Sequence, residues 1–418
     1  MSARTIRALL LAGLVAGPAF AQGGGLPHTR PADVGLLPAR LERITRWLQA
    51  TVDSGKLPGA VVVVARHGKV AYVASVGAMT TSAVYRVYSL TKPITSAAVM
   101  QLVENGKIAL DDPVSKYIPS FAQVKVFAGG SADHPQLRDP DRPVTIADLL
   151  THTSGIAYGF FGQTPADTIL RRAGLFVPGW TVAQLADSVA HLPLKFSPGS
   201  GWSYGFGIDV LGRVIEVASG MTLDRFLDSA LFQPLDMQTT AFHATPAMQG
   251  HILTLYSLGS DRKLHEQTPL LSAEFTADGK LLSGGGGLLS TPEDYLRFAQ
   301  MLLNRGQLNG RRVLKAETVD LMMHNHAPDS LLPLQIAPGW PPGRNGFGYG
   351  GAVRVDSDSG FPGSAGTFRW AGAASTFYWV DPKADLIAMV WTQVQPVTEM
   401  WWLDGAFQRL VYAAVAKP

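Results

Sequence analysis

The first hundred residues carry a helical pattern, then a strand-like pattern, then a helical pattern again. Apolar residues recur every three to four positions over residues 37–51, which predicts a helix. The β-branched run at 60–65 and the apolar stretch at 70–73 are separated by a His-Gly pair, which predicts a β-hairpin. A second helix is predicted over residues 91–104, where an Asn-Gly pair gives a C-terminal signal.

The middle of the chain, about residues 110–280, has a different pattern, with more proline and only short helical stretches. One short helix is predicted at 144–150, with Thr145 as its N-terminal cap. Another is predicted at 208–217, closed by Gly220. This part of the chain is therefore expected to be mainly helical.

The last third returns to strand patterns and ends in a helix. Strands are predicted at 346–355, at 367–380 and at 386–392, and the closing helix at 403–416. Hairpin connections of this kind imply antiparallel pairing.

These patterns predict an α/β (α+β) fold with an antiparallel β-sheet flanked by N- and C-terminal helices, plus an inserted, mostly helical domain. The α/β domain is expected to be discontinuous, from residues 22–110 and 281–418. The inserted domain is expected over residues 111–280.

The N-terminus has the parts of a secretory signal peptide. Arg4 and Arg7 precede an apolar run at 8–15, and a small-x-small site ends at Ala21. The alternative is a membrane anchor, but a helix across a bilayer needs about 20 apolar residues. We therefore expect cleavage after Ala21, a secreted or periplasmic protein, and no stable membrane anchor.

Composition excludes several classes of protein. Apolar residues make up 46% of the chain and charged residues 16%, a balance typical of a globular protein. The net charge of +3, from 35 basic and 32 acidic residues, comes without a basic run, so we expect no nucleic-acid partner. The chain has no cysteine, which excludes a thiol nucleophile, thiolate metal sites and disulfides.

A Ser-x-x-Lys pattern occurs at Ser89 and Lys92, at the start of the helix predicted over 91–104. A serine at a helix start and a lysine one turn later lie on the same face, where the ammonium favours the serine alkoxide. The pattern occurs again at 260–263, but in a polar stretch without a helix signal, which predicts a solvated turn.

A second serine motif, Gly-x-Ser-x-Gly, surrounds Ser203 at residues 201–205. It matches the nucleophile elbow of α/β-hydrolases, which must follow a buried strand and open a helix. The preceding residues 196–200 read as a loop, so we favour Ser89 as the nucleophile and keep Ser203 as the alternative.

Several segments together resemble the serine β-lactamase and penicillin-binding superfamily, and most closely the class C β-lactamase-like family VIII carboxylesterases. The resemblance covers nearly the whole mature chain. Its motifs are Ser89–Lys92, residues 106–117, residues 149–155, residues 196–204, residues 209–216, residues 284–295 and residues 370–382.

The resemblance implies catalytic roles. Ser89 would attack the acyl carbonyl, and Tyr204 would be the general base, its phenol acidified by a positive charge that Lys92 supplies. Which of Tyr204 and Lys92 is the base stays open. The backbone N–H groups of Ser89 and Ala373 would form the oxyanion hole, and water would hydrolyse the acyl-enzyme.

Two departures from the β-lactamase motifs affect the expected substrate. Phe206 stands where those enzymes carry the asparagine of Tyr-x-Asn, and Trp370 begins the segment that replaces Lys-Thr-Gly, whose glycine is Gly372 here. A tryptophan cannot hold the carboxylate that a lysine would bind. We therefore expect a site for neutral esters, with Trp202, Phe206, Trp370 and Gly372 at the substrate.

Other interpretations stay open. The same scaffold supports a β-lactamase, a D-amino-acid peptidase or amide hydrolase, a transacylase, or a penicillin-binding-like sensor that turns over slowly. His152 is expected to be structural. His324 and His326 lack a third nearby ligand, so we expect neither a metal nor another cofactor, and a small-molecule ester or amide as the partner.

Overall fold

The computed structural model describes residues 25–268, 275, 279–340, 343–357 and 360–416. The predicted signal peptide at 1–21 lies outside the described residues. The helices are α1 (Pro38–Asp53), α2 (Thr91–Glu104), α3 (Ile146–Thr151), α4 (Pro165–Arg172), α5 (Val182–Ala190), α6 (Gly207–Ser219), α7 (Leu223–Leu227), α8 (Gln233–Leu235), α9 (Pro292–Leu303), α10 (Ala316–Met322) and α11 (Trp401–Ala414).

The strands are β1 (Gly59–Arg66), β2 (Lys69–Gly77), β3 (Tyr85–Arg86), β4 (Val126–Gly130), β5 (Pro135–Arg138), β6 (Leu255–Leu258), β7 (Leu264–Gln267), β8 (Leu289–Ser290), β9 (Gln307–Leu308), β10 (Arg311–Arg312), β11 (Asn345–Phe347), β12 (Ala352–Arg354), β13 (Phe368–Gly372), β14 (Thr376–Asp381), β15 (Leu386–Trp391) and β16 (Val394–Gln395).

The main sheet joins strands from both ends of the chain. Its seven strands run in the order β11-β12-β13-β14-β15-β1-β2, and every neighbouring pair is antiparallel. The terminal helices α1 and α11 pack against each other beside this sheet. This architecture confirms the predicted fold class, while the predicted domain bounds at 110/111 and 280/281 stay a prediction.

Strand β1 is apolar up to Ala65, and both of its faces are buried. Val61 and Val63 belong to the core that contains α2, whereas Val62 and Val64 belong to the core formed with α1 and α11. Successive side chains of a strand point to opposite faces, so a strand buried on both sides loses the usual apolar–polar alternation.

Helix α2 is more deeply buried than an amphipathic surface helix. Its residues from Thr91 to Met100 are all buried, including Lys92. The helix therefore runs through the core, where it contacts α6, α7 and α10.

Two predicted strands are each divided in the structure. Residues 346–355 hold most of β11 and all of β12, with a turn between them at Gly350, whose φ of +90° favours glycine. Residues 367–380 hold β13 and most of β14, joined by a turn in which Ser375 has φ 63°. The first turn contains three glycines, a local signal that the aromatic and β-branched pattern around it outweighed, whereas the second reads Ala-Ala-Ser and gave no strong turn signal.

Local signals at the predicted turns and helix ends agree with the structure. Thr145 caps α3 with its side chain, and Asp148 completes a capping box. Gly220 ends α6 in the left-handed conformation. Among the described helices, we find none that is both long enough and apolar enough to cross a membrane.

Candidate active site

Ser89 lies in the turn that leads into α2. It is the middle residue of a 3-10 turn at Tyr88–Leu90, and the preceding Tyr88 holds a left-handed φ of 43°. A left-handed non-glycine residue costs of order 1–3 kcal/mol, so the surrounding packing must hold this turn in place. One turn along the helix, Lys92 places Nζ 3.3 Å from Ser89 Oγ.

Lys92 is a fully buried amine whose hydrogen bonds go to neutral groups. Besides Ser89, Nζ donates to the Tyr158 hydroxyl at 3.1 Å and to the Gly285 carbonyl at 2.7 Å. Burial lowers the pKa of Lys92 to about 7, and the charge of Asp209 offsets only part of that effect. A substantial fraction of Lys92 is therefore neutral near pH 7 and can accept a proton.

Tyr204 contacts the same serine oxygen as Lys92. Its hydroxyl donates to Ser89 Oγ at 2.7 Å, and Lys92 Nζ lies 4.6 Å from the centre of its ring. Burial nevertheless raises the pKa of Tyr204, with the Ser89 hydroxyl and the Trp370 indole offsetting part of the rise. This direction is opposite to the acidification that a tyrosine base requires, so the resting site favours Lys92 as the base.

A buried hydrogen-bond network behind Lys92 was not found by sequence reasoning. Tyr158 donates to Asp209 Oδ2 at 3.3 Å, and Asp209 Oδ1 accepts from Ser283 Oγ at 2.5 Å and from the Gly285 N–H at 3.0 Å. Asp209 had a weak signal, since it follows the Tyr204 motif in α6. Tyr158 had none, because only the folded chain brings it to Lys92.

Glycine is required at two positions around the serine and the lysine. A Cβ on Gly285 would lie 2.2 Å from Asp209 Oδ2, and one on Gly372 would lie 2.2 Å from the Val87 carbonyl oxygen. Gly372 thus lets the end of β13 approach the turn that carries Ser89. The next residue, Ala373, lines the same cavity as Ser89, and the oxyanion-hole role of their N–H groups stays a prediction.

His152 supports the tyrosine segment. It ends α3 with a left-handed φ of 59°, and its carbonyl accepts from the Ser203 N–H at 2.9 Å. Its ring is buried 4.9 Å from the ring of Tyr204 and 5.2 Å from that of Phe347. Burial and the charge of Lys92 hold the pKa of His152 well below its usual range, so it packs as a neutral ring.

Neither alternative serine pattern has the surroundings its chemistry needs. The residues before Ser203 form a loop rather than a strand, and α6 begins only at Gly207. The second Ser-x-x-Lys copy forms the turn between β6 and β7, in which the Gly259 N–H donates to the Lys263 carbonyl at 2.8 Å.

The two histidines near residue 325 take part in packing. The ring of His326 stacks on Tyr349 at 4.1 Å, and its Nε2 lies 2.7 Å from the Leu321 carbonyl oxygen. Within the described ranges, no cluster of three or more His, Cys, Asp or Glu side chains is arranged to hold a metal ion.

Ser89 opens into a cavity of about 380 Å³, here called the main cavity. Its walls are mostly apolar and rich in aromatic rings, and the described residues that line it include no charged side chain. Besides three tyrosines and Phe275, these rings are those of Phe160, Phe161, Phe176, Trp340, Trp370 and Trp401. Sequence reasoning found only Trp370 among them, because the others come from loops and helices far apart in the chain.

The aromatic residues expected at the substrate differ in where the structure places them. Trp370 lines the main cavity, and its ring lies 5.3 Å from that of Tyr204. Trp202 lines a separate, smaller cavity that Tyr204 also lines. Phe206 lines neither of these two cavities; it is 3% exposed and packs 4.4 Å from the Tyr158 ring, so its substrate contact stays a prediction that this packing does not favour.

Comparison with known proteins places this arrangement in a family. The Beta-lactamase family model matches residues 44–412. The chain is 34% identical to protein Rv1367c of Mycobacterium tuberculosis, over 84% of this chain and 89% of the relative. It is 30% identical to esterase EstB of Burkholderia gladioli, over 93% of this chain and 98% of EstB.

A solved structure gives the same answer for the fold. The hydrolase EstCE1, described as having promiscuous acyltransferase activity, superposes with a TM-score of 0.76 at 26% identity. The match covers 90% of this chain and 99% of EstCE1. With its serine site in place and esterases among its relatives, this chain is an enzyme of the serine-hydrolase type that belongs to the beta-lactamase family.

Proposed function

We propose that the protein is a carboxylesterase that forms an acyl-enzyme on Ser89 and takes esters with a neutral, apolar acyl group. The observation that carries the proposal is the environment of Ser89: Lys92 and Tyr204 contact its hydroxyl, and an uncharged, mostly apolar cavity adjoins it. Apolar walls with few polar groups are typical of sites that bind apolar ligands.

Acylation begins with proton transfer from Ser89 to the neutral amine of Lys92. The Ser89 oxygen forms a bond to the ester carbonyl carbon, and the backbone N–H groups of Ser89 and Ala373 stabilise the resulting oxyanion. The carbon–alcohol bond then breaks. Tyr204 gives its proton to the departing alcohol oxygen, and the Lys92 ammonium, which contacts the same Ser89 oxygen, restores that proton.

Deacylation uses the same groups with water in place of the alcohol. Water enters beside Tyr204 and attacks the acyl carbon, while Tyr204 takes the water proton and passes its own proton to the neutral amine of Lys92. The bond between the acyl carbon and Ser89 Oγ then breaks, the Lys92 ammonium returns its proton to Ser89 Oγ, and the carboxylic acid leaves. Lys92 serves in both half-reactions because its lowered pKa of about 7 lets it exist in both protonation states at neutral pH.

The site's chemistry favours esters over penicillins. Trp370, in β13, stands at the motif position where a β-lactamase carries a lysine, and the buried Phe206 offers no amide to a substrate. A β-lactam carboxylate would therefore meet aromatic surface in the main cavity rather than a cation. These features support placing the chain with the class C-like family VIII carboxylesterases, with weak β-lactamase activity at most.

The N-terminal pattern supports a proposal about location. Residues 1–21 carry a positive end, an apolar run and a small-x-small site, which are the parts of a cleaved leader. Export to the periplasm or beyond is the proposed destination. We expect mass analysis of the mature protein from its native host to show an N-terminus at Gln22.

The experiment is steady-state hydrolysis of p-nitrophenyl esters of increasing acyl length and of nitrocefin. Ser89→Ala should lose at least 1,000-fold in kcat/KM, since the nucleophile is removed while the cavity remains (about 4 kcal/mol or more in the barrier). Ser203→Ala is the matched control and should retain wild-type activity. Activity in Ser89→Ala together with loss in Ser203→Ala would overturn the proposal.

Acyl transfer is a second candidate, favoured by the likeness to EstCE1 and its promiscuous acyltransferase activity. Adding a primary alcohol to the ester assay distinguishes the two. A transacylase forms the new ester faster than the free acid, whereas a hydrolase forms mainly acid.

A further inference from the structure

A second cavity is also lined by Tyr204. This side cavity, of about 180 Å³, is lined by Asp167, Lys195, Trp202 and Gln335 among others. It shares Phe160, Phe161, Tyr204 and Ile336 with the main cavity, so the two cavities meet at the tyrosine beside Ser89. The main cavity is apolar, whereas the side cavity contains charged groups.

The charged groups of the side cavity form a partly buried ion pair. Lys195 Nζ donates to Asp167 Oδ1 at 2.6 Å, and the exposed fractions of the two side chains are 22% and 1%. Asp167 Oδ2 also accepts from the Thr164 N–H at 3.0 Å and from the Thr164 hydroxyl at 2.6 Å. These bonds to Lys195 and Thr164 keep the pKa of Asp167 below its ordinary value, although burial opposes them.

Lys195 is the cation that lines the side cavity. An ammonium has three donors, and one of those on Lys195 goes to Asp167. Arg171 holds the cavity wall in place by donating to the carbonyls of Gly159 and Gly162, at 2.6 and 2.7 Å, and both glycines line the side cavity. The remaining donors of Lys195 favour an anionic ligand group here.

The chemistry of ester cleavage determines which part of the substrate enters the side cavity. Tyr204 donates to Ser89 Oγ at 2.7 Å, so the alcohol oxygen receives its proton on the Tyr204 side. Resting on the proposed esterase function, we infer that the acyl group extends into the main cavity, that the side cavity binds the alcohol part of the ester, and that Lys195 selects alcohols carrying a carboxylate.

The test compares two esters that differ in charge only at the alcohol. One is the butyryl ester of 3-hydroxybenzoate, and the other is the butyryl ester of methyl 3-hydroxybenzoate. The measured quantity is kcat/KM for the carboxylate ester divided by kcat/KM for the methyl ester. The shared acyl group and the shared catalytic step cancel in this ratio. Lys195→Met should lower this ratio about tenfold, as expected for loss of one charge-assisted hydrogen bond.

Two further variants separate recognition from folding. Lys195→Met leaves Asp167 buried without its cation, so Lys195→Met combined with Asp167→Asn replaces the pair by neutral groups and should show the same lowered ratio. Lys125→Met, which removes a lysine from a surface ion pair, is the matched control and should leave the ratio unchanged. A ratio that stays within twofold of wild type in both Lys195 variants would overturn the inference.

A binding measurement keeps this test independent of turnover. Titration calorimetry of 3-hydroxybenzoate into Ser89→Ala protein should show binding about tenfold tighter than in Ser89→Ala combined with Lys195→Met. Equal affinities would overturn the Lys195 site even if esters are hydrolysed. Conversely, a wild-type protein that hydrolyses neither ester yet binds the carboxylate through Lys195 would contradict the esterase proposal alone.

Discussion

The lowered pKa of Lys92 makes the pH dependence of activity a sensitive test of the site. The Lys92–Tyr158 and Tyr158–Asp209 hydrogen bonds, 3.1 and 3.3 Å long, place the Lys92 and Asp209 charges no more than about 6.4 Å apart. At an effective dielectric constant of about 20, such a pair interacts by roughly 2.5 kcal/mol, or nearly two pKa units. Asp209 therefore raises the pKa of Lys92 against the effect of burial.

The perturbation is Asp209→Asn, which removes the charge but keeps an oxygen that accepts from Ser283. In wild type, kcat/KM should rise with pH through about 7, because only the neutral amine of Lys92 accepts the Ser89 proton. In Asp209→Asn the ammonium loses its stabilising charge, so this rise should move about one to two pH units lower. A weaker base should also lower the plateau.

The assay is kcat/KM for a neutral p-nitrophenyl ester between pH 4.5 and 9. Asp133→Asn is the matched control, because this carboxylate is 72% exposed and its removal should leave the profile in place. A wild-type profile without a transition near pH 7, or an Asp209→Asn profile that moves to higher pH, would refute Lys92 as the proton acceptor.

Three further predictions follow from single contacts. Gly372→Ala should lower kcat/KM at least 100-fold in the ester assay, because the new Cβ would force the end of β13 away from the turn carrying Ser89. Tyr204→Phe should lower kcat by roughly 100- to 10,000-fold with little change in thermal stability, because only a proton-transferring hydroxyl is lost. Asp404→Ala should lower the free energy of unfolding in urea by about 3–5 kcal/mol, because it leaves the guanidinium of Arg369 buried without its partner.

Two of these three variants have a matched control, and each has a result that would contradict the prediction. Gly405→Ala adds a Cβ at ordinary contact distance, 3.7 Å from Phe361, and should leave activity unchanged; an equal loss in both glycine variants would contradict the close-approach argument. Near-wild-type kcat in Tyr204→Phe would exclude it from proton transfer. Asp141→Ala breaks an exposed ion pair and should cost less than about 1 kcal/mol, and a similar loss in Asp404→Ala would refute the burial argument.

The sequence by itself determined the features that depend on neighbouring residues. The spacing of Ser89 and Lys92 places both on one face of a helix start, and the capping signal at Thr145 and the glycine at 220 mark helix ends that the structure confirms. The apolar patterns of β1, β2 and the terminal helices were sufficient to predict the fold class. Each of these signals is contained within a few residues.

The tertiary structure decided the features that depend on burial and on contacts between distant segments. The pKa of Lys92 is low because helices and loops from several parts of the chain exclude water around it. Asp209, which is linked to Lys92 through the Tyr158 hydroxyl, offsets part of this effect. Phe206 was placed at the substrate by its position in a motif, yet packing against Tyr158 buries it. Burial sums over residues far apart in the chain, so no local pattern contains it.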